Sequence, residues 1–159
     1  MSDSNKFIKI IEPSKEIFQL INNYKKLIKI ILPNAKVTLI GSFAVPMCGK
    51  EEIDLLIETD NVKEAQKLLG KHGFGIGPII NGEGFCKSNN YGIVCDLHIV
   101  SKGHKNIKKY FDVITNLKEN PKILKKYEEL KKSLDGSTEE FYKKAKNKFL
   151  KENILILKE

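Results

Sequence analysis

Apolar and polar positions alternate with three distinct rhythms along the chain. Residues 7–12, FIKIIE, read as a short extended segment that Pro13 stops. Ser14 then stands where a helix N-cap belongs, and Ile17, Leu20, Ile21, Tyr24, Leu27, Ile28 and Ile31 recur at helical spacing. Pro33-Asn34 ends that stripe. KVTLIG (residues 36–41) and EEIDLLIET (51–59) are rich in β-branched and aliphatic residues and predict strands. NVKEAQKLLGKHG predicts a helix capped by Asn61 and stopped at Gly73. Residues 73–92 are rich in Gly and Asn, which predicts turns joining short strands such as GEGFCKS. YGIVCDLHIVS (91–101) predicts a further strand. Beyond Gly103 the period is helical: KNIKKYFDVITNL, then PKILKKYEELKKSL with Pro121 in its first turn, then TEEFYKKAKNKFLKENILIL after a break at Asp135-Gly136, with Ser137 as the expected cap.

The outline is one α/β (α+β) domain over residues 1–159. A mixed sheet flanked by helices occupies 1–101, and a helical C-terminal part occupies 102–159. No internal repeat or linker interrupts it.

Two strands break their own pattern. Glu52 and Asp54 flank Ile53, and side chains alternate across a strand, so both acids share a face while Ile53, Leu55 and Ile57 share the other. Like charges about 7 Å apart on one strand face call for a compensating cation. Asp96 and His98 interrupt IVCDLHIV in the same way. If these strands are neighbours, three carboxylates meet on one sheet surface, a donor set suited to a hard divalent cation. Gly41-Ser42 ends the strand before them. Glycine there permits a tight turn, and the N–H groups that follow, with the Ser42 hydroxyl, suit phosphate oxygens. Lys50 is a further candidate phosphate contact, and His98 a contact to substrate or metal.

Charge sharpens this only in part. The net charge is +8; residues 101–159 hold 16 Lys against 9 acids, so the excess is C-terminal. Every basic residue is Lys, which removes bidentate guanidinium recognition and leaves Lys, backbone N–H or metal for phosphate. A Lys-rich helical surface also admits nucleic acid as a partner. Three cysteines without C-x-x-C spacing argue against a disulfide or zinc scaffold. No apolar run approaches the ~20 residues that span a bilayer, and the N-terminus lacks a signal-like apolar stretch, so a cytoplasmic protein without membrane contact is expected.

The run IGS, nine residues, then EID resembles the nucleotidyltransferase superfamily, the relatives of DNA polymerase β. That resemblance implies Glu52, Asp54 and Asp96 as metal ligands and catalytic carboxylates. LIGSFAVP with Lys50 and Ile53-Asp54, then FCKS and DLHIV, then YEELKKSL and FYKKAKNKFL, resembles the GrpB-like family of the same fold over almost the whole chain. Members of that family usually carry an apolar residue where Glu52 stands and a His where Asp96 stands. Both differences restore the acidic set here. The expectation is a Mg²⁺-dependent transferase, with two ions about 3.5–4 Å apart, that moves an NMP group from an NTP to an unidentified hydroxyl acceptor. Gly41, Ser42, Lys50 and His98 would hold the nucleotide. The alternative is a catalytically silent binder of a nucleotide, a coenzyme A-like compound or RNA.

Overall fold

The structure, a computed structural model, describes residues 6–155. The chain divides into two compact units: Ser14–Gly41 with Glu52–Phe111, and Met1–Pro13 with Ser42–Glu51 and Asp112–Glu159.

The first of these units carries the main sheet. Helix α1 (Lys15–Ile31) begins where expected, with the Ser14 hydroxyl accepting from the Ile17 N–H. It buries Ile17, Ile21, Tyr24, Ile28 and Ile31 of the stripe read from the sequence, while Leu20 and Leu27 at its edges are half-buried. The Tyr24 hydroxyl, deep in the core, donates to the Ile93 carbonyl at 2.8 Å and so fastens the helix to the entrance of a central strand. Helix α2 (Val62–Lys71) starts at Asn61, whose side chain accepts from Glu64 N–H. Its buried Gln66 donates to the carbonyls of Gly77 and Phe85, which satisfies the amide and ties the helix to two strands.

Five strands form the sheet: β2 (Lys36–Ile40), β4 (Glu52–Thr59), β5 (Gly75–Ile80), β6 (Glu83–Ser88) and β7 (Val94–Ser101). Their spatial order is β2-β4-β7-β6-β5. Only β4 and β7 run parallel; the other pairs are antiparallel. The parallel pair is the apolar centre. Ile53, Leu55, Leu56 and Ile57 of β4, and Cys95, Leu97, Ile99 and Val100 of β7, have no exposed surface. Each such aliphatic side chain stabilises the fold by about 1.5–3 kcal/mol.

Strand β5 is the element the pattern marks least clearly, because two glycines and Pro78 dilute its β-branched residues. It forms as one arm of a hairpin closed by Asn81-Gly82, both at positive φ, 51° and 83°. Two consecutive left-handed residues suit the twist of adjoining strands, and Asn-Gly is the pair that adopts them most readily. As the outermost strand, β5 tolerates Pro78, and Ile76, Ile79 and Ile80 stay exposed on it.

In the other unit the N-terminal extended segment contributes β1 (Ile10–Ile11), paired antiparallel with β3 (Gly49–Lys50). Ile8 exchanges backbone hydrogen bonds with Ser137 and Gly136. Helices α4 (Pro121–Ser133) and α5 (Glu139–Leu150) lie here, and a π-type turn, residues 151–155, follows α5. Helix α3 (Lys105–Glu119) has its first seven residues in the sheet unit and the remainder here. Val45, Met47, Leu117, Tyr127 and Ile154 form one buried cluster; Ile8, Leu134 and Tyr142 form a second. Thr138, not Ser137, caps α5. The Thr138 hydroxyl accepts from Phe141 N–H, while the Ser137 backbone is held by Ile8 and Leu134 and cannot turn into the helix entry. The end of the last predicted helix, residues 156–157, lies outside the described residues. The three cysteines are buried free thiols. Among the described residues no helix is long and apolar enough to cross a membrane.

Candidate active site

The acidic site follows from strand register. Because β4 and β7 are parallel and in phase, Asp54 stands directly opposite Asp96. Adjacent strands are about 4.8 Å apart, so the two carboxylates leave the same face of the sheet side by side. Glu52, two residues earlier on β4, joins them. Glu52, Asp54 and Asp96 each offer an oxygen within 4.8 Å of the other two, and all three are half-buried. Like charges facing each other across a strand pair are destabilising by themselves. A positive charge among the three acids relieves that repulsion, and oxygen donors at this separation suit Mg²⁺.

The bend beside them is shaped for one of these acids. Ile40, the last residue of β2, pairs with Asp54, and Gly41 turns away with φ +78°. A Cβ on Gly41 would lie 2.9 Å from Asp54 Oδ2. Glycine thus serves twice, adopting a left-handed backbone and leaving a carboxylate oxygen clear.

His98 sits two residues beyond Asp96 on the same face. Its Nε2 lies 3.3 Å from Asp54 Oδ1 and its Nδ1 lies 3.4 Å from Glu83 Oε2. Glu83, at the start of β6, is only 4% exposed. The Tyr110 hydroxyl, on α3, donates to Glu83 at 2.8 Å, and the Asn106 amide donates at 3.3 Å. Lys87, opposite Asp96 on β6, places its Nζ 3.5 Å from Asp96 Oδ1.

These contacts set the charge states. Burial drives His98 toward neutrality, but hydrogen bonds and charge from Asp54 and Glu83 outweigh it and raise its pKa to about 9. Burial likewise pushes the Glu83 carboxyl up. Its bonds from His98 and Tyr110 win, and it lies below the usual carboxylate range. Burial, then the Glu83 contact, keeps Tyr110 a hydroxyl far above neutral pH. Cys95, which precedes Asp96 and pairs with Ile53, is driven up by burial first and then by Asp54 and Asp96, so it remains an inert thiol.

The residues expected from the sequence thus separate by unit. Gly41, Glu52, Asp54, Asp96 and His98 come together in the sheet unit. Ser42 and Lys50 belong to the other. There the Ser42 hydroxyl accepts from the Lys131 ammonium at 2.5 Å, and Lys131 is only 2% exposed with its Nζ 4.4 Å from the Tyr127 ring centroid. Lys50 pairs with Glu139 at 2.5 Å. Glu83, Lys87, Tyr110 and Lys131 were not among the expected site residues. Glu83, Phe85 and Lys87 alternate along β6, and that period-two pattern is the signal that places the two charged residues on the Asp96 face. Tyr110 carries no such mark, since its helical position suits a core residue equally well.

Comparison with known proteins agrees with this architecture. The sequence model described as GrpB protein matches residues 7–155. The chain belongs to the GrpB family. A UPF0157 protein of Vibrio cholerae serotype O1 is 26% identical over 155 residues, covering 94% of this GrpB-family chain and 82% of its relative. The crystal structure of conserved protein GrpB from Enterococcus faecalis superposes with a TM-score of 0.70 at 23% identity, over 90% of this chain and 98% of that one. The Cid1 poly(U) polymerase, in a structure described as Mg 3′-dATP bound, superposes with a TM-score of 0.52 at 17% identity, over 73% of this chain and 40% of the polymerase. The fold is therefore nucleotidyltransferase-like.

Proposed function

We propose that this GrpB-family protein is a Mg²⁺-dependent nucleotidyltransferase that moves an NMP group from an NTP to a hydroxyl acceptor. The observation that carries the reading is the convergence of Glu52, Asp54 and Asp96 within 4.8 Å beside a glycine bend. That donor set fits Mg²⁺, and the three carboxylates would hold it. Bound there, the ion supplies charge neutralisation for a triphosphate and lowers the pKa of an acceptor hydroxyl.

The protein's own residues do the rest. The acceptor oxygen attacks the α-phosphorus, the bond to the β-phosphate oxygen breaks, and pyrophosphate leaves. Asp96 receives the hydroxyl proton on its carboxylate. Gly41 admits the phosphates close to the backbone. Ser42 and Lys50 are proposed as phosphate contacts on the Gly-Ser sequence alone; within their own unit the Ser42 hydroxyl accepts from Lys131. The Lys-rich C-terminal helices favour an anionic acceptor, including RNA.

The test is incubation of the full chain with each α-labelled NTP and Mg²⁺, with and without cell extract. Label transferred to an acceptor, and lost in Asp54→Asn and Asp96→Asn, is the expected result. Saturable nucleotide binding that survives Asp54→Asn, with no transfer in any arm, refutes catalysis and leaves a binding module.

A further inference from the structure

The Glu83–Tyr110–His98 cluster reaches the carboxylate set through one contact, His98 with Asp54, and rests on a buried acid, Glu83. His98 Nε2 faces Asp54 Oδ1 at 3.3 Å. A ring nitrogen facing a carboxylate oxygen at that distance carries the proton and donates it. The other ring nitrogen is held by Glu83 Oε2 at 3.4 Å and the Tyr110 hydroxyl at 3.2 Å. Glu83 is in turn fixed by Tyr110 and Asn106. The ring therefore has little freedom to swing away from Asp54. The remaining oxygen, Oδ2, is the one that a side chain at Gly41 would crowd.

We infer that His98, oriented by Glu83 and Tyr110, is a specificity-determining residue that restricts Asp54 to one coordinating oxygen and so selects Mg²⁺ or Mn²⁺ over Ca²⁺. The physical basis is the difference between the ions. Mg²⁺ demands near-octahedral geometry and takes one oxygen from each carboxylate. Ca²⁺ fills six to eight positions and commonly does so with bidentate carboxylates. A hydrogen bond at Oδ1 takes one of that oxygen's lone pairs and fixes the carboxylate's orientation, which disfavours the bidentate mode at Asp54 while leaving Oδ2. Lys87, 3.5 Å from Asp96 Oδ1, adds a looser version of the same restriction on the facing strand. The inference rests on the metal-site reading above and assigns a role that the carboxylates alone do not have.

The experiment is competition of Mg²⁺ and Ca²⁺ against Mn²⁺ bound to the full chain, followed by the electron paramagnetic resonance signal of free Mn²⁺. The quantity read is the ratio of the two competitors' dissociation constants, in which a general change of site charge largely cancels between ions of equal charge. His98→Asn places its amide where Nδ1 lies and cannot reach Asp54. His98→Gln places its amide near Nε2 and can. The expected result is a shift of the ratio toward Ca²⁺ by about tenfold in His98→Asn, and a parent-like ratio in His98→Gln. A parent-like ratio in His98→Asn overturns the assignment, and so does an equal shift in both variants. Asp54→Asn separates the two levels of argument. If it binds Mn²⁺ as the parent does, the metal-site reading itself fails. If it loses Mn²⁺ while His98→Asn keeps the parent ratio, only the role of His98 fails.

Discussion

Removing one of the three acids should stabilise the metal-free protein and destabilise it, relative to the parent, once Mg²⁺ is present. Asp96→Asn is the cleanest perturbation, because the amide keeps the shape of the carboxylate. Two unit charges 4.8 Å apart, the outer limit of the spacing here, repel by about 1 kcal/mol in a water-like dielectric and about 3.5 kcal/mol at an effective dielectric of about 20. Asp96 meets two such neighbours, Glu52 and Asp54. Against this stand the loss of the Lys87 ion pair, about 0–1 kcal/mol for a cation that is 58% exposed, and lost attraction to His98. The balance favours the variant by about 1 kcal/mol in EDTA, or about 2–4 °C in melting temperature for a chain of this size. With Mg²⁺ at about one hundred times its Kd, the parent gains about 2.7 kcal/mol, whereas the weakened site of the variant gains little, and the order of the two proteins inverts. Differential scanning calorimetry in EDTA and in Mg²⁺ measures both. An Asp96→Asn protein less stable than the parent in EDTA by more than about 1 kcal/mol, or one stabilised equally by Mg²⁺, refutes the electrostatic argument.

Three further outcomes are expected. With His98 raised from its ordinary value to about 9 in the metal-free fold, its contribution to stability is complete below about pH 6.5 and is lost as pH rises through about 9. Urea unfolding between pH 6 and 10 in EDTA should show that decline in the parent and not in His98→Gln. Gly41→Ala forces a left-handed alanine and a Cβ against Asp54 Oδ2, so it should cost about 1–2 kcal/mol and weaken Mn²⁺ binding together. Parent-like Mn²⁺ affinity in that variant would contradict the role given to the bend. Tyr110→Phe removes the hydroxyl that donates to buried Glu83 and should cost about 1–3 kcal/mol by denaturant titration, with the larger loss at neutral pH than below the Glu83 pKa, where a protonated carboxyl no longer needs the donor.

The carboxylate site was legible because its residues violate the rhythm of their own strands. Glu52 and Asp54 stand out from Ile53, Leu55 and Ile57, and Asp96 stands out from Cys95 and Leu97. Alternation then fixes a common face without knowledge of the fold. Helix entries at Ser14 and Asn61 were equally readable, since a capping oxygen and an apolar stripe point to the same start. What sequence could not supply was pairing. Nothing local says that β4 and β7 are parallel and in phase, or that β6 returns along β7 with Lys87 opposite Asp96. Glu83 was hidden for a related reason: it follows Asn81-Gly82 and looks like part of a turn, whereas burial beneath Tyr110 and Asn106 is a tertiary event. Thr138 took the capping role from Ser137 because backbone pairing with Ile8 claimed the earlier residue first.

The meeting of Asp54 with Asp96 depends on how two strands are aligned; of the 34 residues between β4 and β7, Lys87 and Glu83 face that site, whereas the hairpin tip at Asn81-Gly82 does not set the alignment. An engineer could therefore replace the tip of the β5–β6 hairpin with a tag or a recognition loop and keep the acids facing each other. Deleting Cys95, just ahead of Asp96 in β7, would instead rotate Asp96 and His98 together to the opposite face. Glu52 and Asp54 would stay in place on β4, and the three-acid set would be split between the two faces of the sheet.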